Sequence, residues 1–133
     1  MTHRHPAHIP HAVTRDEYLS GRRAVETVAG RPVRLFRPPH GHMSLPHAAL
    51  MRSQGVQPWL WTVDPEDWRP GATVRDIVRV AAEARGGDVI LLHDWVEEPW
   101  APEALDRSAT VEAVRPVVED LRRRGLHFTT LPS

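Results

Sequence analysis

The chain has 133 residues, a length that suits one domain, with 17 basic and 17 acidic residues and a formal net charge of zero. That balance argues against a broad electrostatic footprint for nucleic acid or anionic lipid. There is no cysteine, and every basic residue is Arg, so disulfides, thiolate chemistry and lysine Schiff bases are excluded. No apolar run approaches the roughly 18 residues of a membrane span. No basic-then-apolar leader pattern opens the chain as given, and the sequence leaves its location open. Histidine is abundant, with nine in all, seven of them among residues 1–50.

Helix and strand signals alternate. Residues 14–29 read as a helix, with a capping box at Thr14 and Glu17 and Gly30 just past its end. Residues 31–36 carry Val33, Leu35 and Phe36 and read as a strand stopped by Pro38 and Pro39, which cannot donate to a ladder. Residues 44–54 read as a helix capped by Ser44 and closed by Gly55. Residues 56–63, rich in Trp and Val, read as a second strand. Residues 73–85 form the cleanest helical pattern, with Val74, Ile77, Val78 and Ala81 on one face. Residues 88–92 are a short apolar run, expected as a strand buried on both faces. Residues 109–124 read as a helix containing Pro116 and stopped by Gly125, and residues 126–131 as a fourth strand.

Strand and helix in alternation is the mark of an α/β protein with a parallel sheet. In such folds the segments after the strands' C-terminal ends carry the chemistry. Three segments qualify. Arg37-Pro38-Pro39-His40-Gly41 is a rigid turn that can aim backbone N–H groups at an oxyanion, with Arg37 able to hold a carboxylate. Asp64-Pro65-Glu66-Asp67-Trp68 offers Asp64 to orient a histidine and Trp68 to wall a groove. Leu91-Leu92-His93-Asp94 places a histidine beyond an apolar strand as a general acid, with Leu91 on the same face beside it. Taken singly, each segment is as readily an ordinary turn or strand end.

Together and in order, FRPPHG at residues 36–41, VDPEDW at 63–68 and VILLHD at 89–94 resemble the polysaccharide deacetylase domain (NodB homology, carbohydrate esterase family 4). The closing GLHFTTLP looks like that family's last strand. The resemblance implies a partial (β/α) barrel with about four strands and intervening helices, where a complete barrel has about eight. It implies metal-dependent removal of acetyl groups from N-acetylated or O-acetylated polysaccharide. Arg37 would pair with the catalytic base, the backbone at Pro39 and His40 would serve the oxyanion, and Asp64 would tune the catalytic histidine. Trp68 would line the substrate groove, Leu91 would form the methyl pocket, and His93 would be the general acid.

The family's first motif, which supplies the base Asp and a metal-ligand Asp, has no counterpart here. Its second motif survives in one of two registers, with either His3 or His5 as the remaining ligand of a divalent metal, expected to be zinc. One imidazole is too few for a catalytic zinc site. Residues 1–133 are therefore expected to be the C-terminal portion of a deacetylase domain, weak or inactive alone. The expected partners are an acetylated polysaccharide or oligosaccharide, with no nucleic acid and no membrane span, and self-association through an incomplete sheet. The alternatives are a non-catalytic carbohydrate-binding protein using Trp61, Trp68, Trp95 and Trp100, or a half-barrel that needs a partner chain.

Overall fold

The computed structural model describes residues 5–96, 99 and 101–132. The chain divides into two compact units, residues 1–60 with 131–133, and residues 61–130. Each unit has its own apolar cluster.

In the first unit, α1 (His11–Ala29) is followed by β1 (Leu35–Phe36), a short 3-10 turn (Pro39–Gly41), α2 (Leu45–Ser53) and β2 (Gln57–Pro58). Helix α1 begins at His11 with Pro10 in the cap position, earlier than the expected Thr14 cap. Pro10 holds φ at −58° and nothing between it and Thr14 breaks a helix, so the first turn extends back. Thr14 is instead a buried first-turn residue whose hydroxyl donates to the Pro10 carbonyl. Thr14, Tyr18 and Gly21 form the buried stripe of α1. Tyr18 packs with Met51 and Val56, with Phe36 and Met43 against them. Ser44 caps α2 by accepting from the His47 amide, as expected. β1 and β2 pair in parallel, Leu35 opposite Gln57 and Phe36 opposite Pro58.

The second unit carries a parallel bridge between Val63 and Ile90, α3 (Val74–Ala81) and α4 (Ser108–Arg123). Thr73 caps α3, accepting from the Asp76 amide at 3.2 Å and donating to its carboxylate at 2.6 Å. The helix stops at Ala81, short of the expected residue 85. Its last carbonyls turn elsewhere: the Arg124 guanidinium donates to Ala82 O and, at 2.8 Å, to Ala84 O. The Asp88 carboxylate accepts the Arg85 amide at 2.7 Å. Helix α4 buries Thr110, Ala113, Val117 and Leu121 and accommodates Pro116 without ending. It closes at Gly125, whose φ of 80° turns the chain so that the Leu126 amide reaches Leu121 O at 3.0 Å. Ala81, Ala84, Val117 and Leu121 form the core between α3 and α4, with Val63, Val78, Ile90 and Leu126 against it.

The strand expectations need correction. Among the described residues there are two short strands and one isolated bridge, where the sequence pattern suggested four strands. Residues 126–131 form no ladder, and residues 127–130 are exposed. A strand is stable only beside another strand, and no partner edge meets this segment among the described residues. The run 88–92 is bridged only at Ile90, with Leu91 buried and its neighbours Val89 and Ile90 half-buried. The architecture remains mixed α/β with a small parallel sheet, consistent with a partial barrel. No described helix is long and apolar enough to cross a membrane.

Leu121, 3% exposed, supports the α3–α4 core, whereas Val111 on the same helix is 70% exposed. Leu121→Ala is expected to cost about 2–5 kcal/mol by lost burial and cavity formation, and Val111→Ala within about 0.5 kcal/mol. Urea unfolding of the two variants checks this; equal losses would show that α4 does not pack as described.

Candidate active site

The parallel bridge at Val63 and Ile90 sends two chain segments out on the same side. After Val63, the Asp64 carboxylate accepts the Glu66 amide at 2.9 Å, and Glu66 takes a left-handed φ of 52°. That conformation is uncommon for a residue with a side chain and is held here by the tight turn. Its effect is to turn Asp67 inward, where it is 1% exposed. After Ile90, the chain reaches His93, a quarter exposed at its side chain.

His93 Nδ1 lies 2.8 Å from Asp67 Oδ1, and the His93 amide donates to Asp67 Oδ2 at 2.9 Å. The Thr110 hydroxyl donates to the same Oδ2 at 2.9 Å. The Arg107 guanidinium donates to the Asp67 main-chain oxygen at 2.7 Å. Burial pushes the Asp67 carboxyl up, but hydrogen bonds from the His93 ring, the His93 amide and Thr110 outweigh it and hold the carboxyl below its ordinary value. A carboxylate on Nδ1 fixes the imidazole with Nδ1 protonated and leaves Nε2 to exchange a proton with a substrate.

The residue that meets His93 is thus Asp67, and the expected partner, Asp64, holds the turn that aims it. Both carboxylates belong to one five-residue turn, and spacing alone did not separate them. Leu91 is buried at 6% exposure, as expected of the residue sharing His93's face. Trp68 is half-buried, with the Arg69 guanidinium 5.5 Å from its ring centre. Trp61 is half-buried and Trp95 is 65% exposed; Trp100 lies outside the described residues.

In the first unit, Arg37 is exposed directly after β1 and Pro38 is buried. The turn that follows puts His40 at φ 53° and Gly41 at φ 71°. Its own hydrogen bonds run from the Gly41 amide to Pro38 O and from the His42 amide to Pro39 O, each 3.1 Å. The turn also gathers imidazoles of the histidine-rich first 50 residues. The His5 ring centre lies 4.7 Å from His8, 5.0 Å from His40 and 4.5 Å from His42. Desolvation, then repulsion from His42, His40 and His8, hold His5 below the ordinary histidine value. His3, the other candidate ligand, lies outside the described residues.

Comparison with known proteins bears on the chain as a whole. No family model matches the chain. A peptidoglycan-N-acetylglucosamine deacetylase of Bacillus cereus is 29% identical over 133 residues, covering 98% of this chain and 58% of its own length. A chitooligosaccharide deacetylase of Bradyrhizobium sp. is 34% identical over 137 residues, covering 99% of this chain and 62% of its own length. The solved family 4 carbohydrate esterase from Streptomyces lividans, in complex with acetate, superposes with a TM-score of 0.71 at 27% identity. It covers 93% of this chain and 58% of that one. The fold is that of the NodB-type deacetylases. By sequence and structure the chain is a homologue, over nearly its whole length, of the polysaccharide deacetylases of carbohydrate esterase family 4. It spans about three-fifths of the curated relatives it matches, 58% and 62%.

Deacetylases of this family are generally metal-dependent. The described residues do not fit such a centre: no group of three or more His, Cys, Asp or Glu among them is arranged to hold a metal ion. His5 has other imidazoles for neighbours, and a catalytic zinc needs about three protein ligands.

The depressed Asp67 carboxyl sets a pH dependence. A group held below its unfolded value adds stability above that value, about 3.9 for Asp, and loses it as pH falls toward the folded value. Asp67→Asn should therefore be clearly less stable than the parent at pH 6, with the gap narrowing at pH 3. Urea unfolding at both pH values measures it; a gap independent of pH would show that the carboxylate charge does not matter to the fold.

Proposed function

We propose that these 133 residues are the C-terminal portion of a NodB-homology domain and that they serve hydrolysis of an acetyl group on a polysaccharide. The observation that carries this reading is the 2.8 Å pairing of His93 Nδ1 with a buried Asp67 beyond two parallel strand-like segments. The named relatives act on peptidoglycan N-acetylglucosamine and chitooligosaccharides, which supports an N-acetylated glycan as substrate here.

In the reaction, water adds to the acetyl carbonyl, an oxyanion forms, and the bond to the sugar nitrogen or oxygen breaks with release of acetate. The proton lost by the water passes to a base carboxylate, and the leaving atom gains one from Nε2 of a His93 ring that carries a proton on each nitrogen and is stabilised by Asp67, leaving the ring neutral with Nδ1–H. Pro39 has no N–H, so a backbone donor for the oxyanion in that turn falls to His40. Arg37 would hold the base carboxylate that this sequence does not itself present near its other motifs. Leu91 would seat the acetyl methyl, and Trp68 would lie along the glycan with Arg69 beside it. Because the described residues form no metal centre, the chain alone should be weak or inactive.

The test supplies what is lacking. The chain is fused behind the segment of the Bradyrhizobium relative that precedes the matched region, and acetate release from chitooligosaccharide is followed with added zinc. The chain alone should stay near background, and the fusion should turn over. His93→Ala in the fusion should lower the rate by about 10²–10⁴-fold, the usual contribution of a general acid. A fusion that turns over equally well without the His93 imidazole would sink the assignment.

A further inference from the structure

The Asp67–His93 pair does not stand alone in its unit. Two side chains reach it from the start of α4, one turn apart: Arg107 at the cap position and Thr110 in the first turn. The start of that helix is itself locked, since the Asp106 carboxylate accepts the Ser108 amide at 2.8 Å. Thr110 is buried and donates to Asp67 Oδ2. With the His93 amide on that oxygen as well, Oδ2 has two donors, and Oδ1 is the oxygen turned to the ring.

Arg107 is 11% exposed at its side chain, donates to Asp67 O, and lies 3.9 Å from Oδ2. Its Nε is buried with no hydrogen-bond partner among the described residues. Burying a guanidinium with one N–H unsatisfied is costly, and the nearby Asp67 carboxylate and main-chain oxygen offset part of that cost. The placement of Arg107 has a local effect: it clamps the main chain of the residue that carries the carboxylate.

We infer that Arg107 and Thr110 are positioning residues, which act through Asp67 to hold His93 in the Nδ1-protonated tautomer with Nε2 presented outward. The inference rests on the reading of His93 as the proton donor for its purpose, but its geometry is testable without turnover. With Thr110 removed, Oδ2 keeps one donor and the carboxylate can rotate. With Arg107 removed, the Asp67 main chain loses its clamp. Either change loosens the carboxylate against Nδ1 and lets the other tautomer form.

The experiment is long-range proton–nitrogen correlation of the imidazoles in the nitrogen-15-labelled full chain, at about pH 8.5, some two units above the ordinary histidine value of about 6.5. Wild-type His93 is expected to show protonated Nδ1 and unprotonated Nε2. Thr110→Val, which keeps the side chain's shape, and Arg107→Met should each shift His93 toward a mixture of tautomers, while exposed His127 stays unchanged. Thr110→Ser, which restores the hydroxyl, should restore the wild-type pattern. If neither Thr110→Val nor Arg107→Met moves the His93 signals, or if Thr110→Ser behaves like Thr110→Val, the positioning role is overturned and the Asp67–His93 pair stands without it. A wild-type His93 lacking the Nδ1 proton would overturn the pair as well. Failure of the deacetylase reading is seen separately, in the acetate assay of the fusion.

Discussion

Asp67 holds a negative charge almost wholly out of water, and the second unit is organised around satisfying it. Such a charge survives burial only if hydrogen bonds replace the lost solvent. They come from two distant stretches of chain: the segment after Ile90 brings the His93 amide and ring, and α4 brings the Thr110 hydroxyl, with the Arg107 guanidinium on the Asp67 main-chain oxygen and 3.9 Å from Oδ2. The same contacts that make the carboxylate tolerable also aim the imidazole, so one buried charge links stability to chemistry.

The left-handed Glu66 belongs to the same economy of structure. Asp64 bonds the Glu66 amide and closes the turn, Glu66 absorbs the unusual dihedral, and Asp67 follows pointing inward. Neither acidic neighbour of Asp67 is idle: Glu66 also pairs with Arg69, whose guanidinium overlies Trp68. The first unit shows a comparable device, a Pro-Pro turn that forces His40 and Gly41 to positive φ and gathers imidazoles of a histidine-rich segment. In both units a strained turn directly after a strand or strand-like segment carries the groups of chemical interest, as expected where surrounding structure over-determines the backbone.

The helices were legible in the chain because their signals are local. Ser44 caps the helix it was expected to cap, the helix expected from residue 73 begins at Val74 with Thr73 as its cap, and Gly125 closes α4 at the expected place. Errors arose where a local signal met a distant partner: α3 ends early because Arg124 and Asp88 take its final turn. Strands fared worse, since 126–131 has suitable residues and no ladder. The site was half legible. His93 was singled out from its place beyond an apolar strand-like run, and the structure pairs it with a carboxylate. Asp67 was passed over for Asp64, and the grouping of His5 with His8, His40 and His42 was not anticipated.

The sequence by itself determined the order and kind of the helices, the three segments that end strands, and the family to which the motifs point. Those properties follow from interactions that close within about four residues or from motif order along the chain. Only the tertiary structure decided which carboxylate meets His93, and that Thr110 and Arg107, 43 and 40 residues further on, hold it. A buried charge must be matched by donors wherever the fold brings them, and sequence spacing carries no record of which distant side chains those will be.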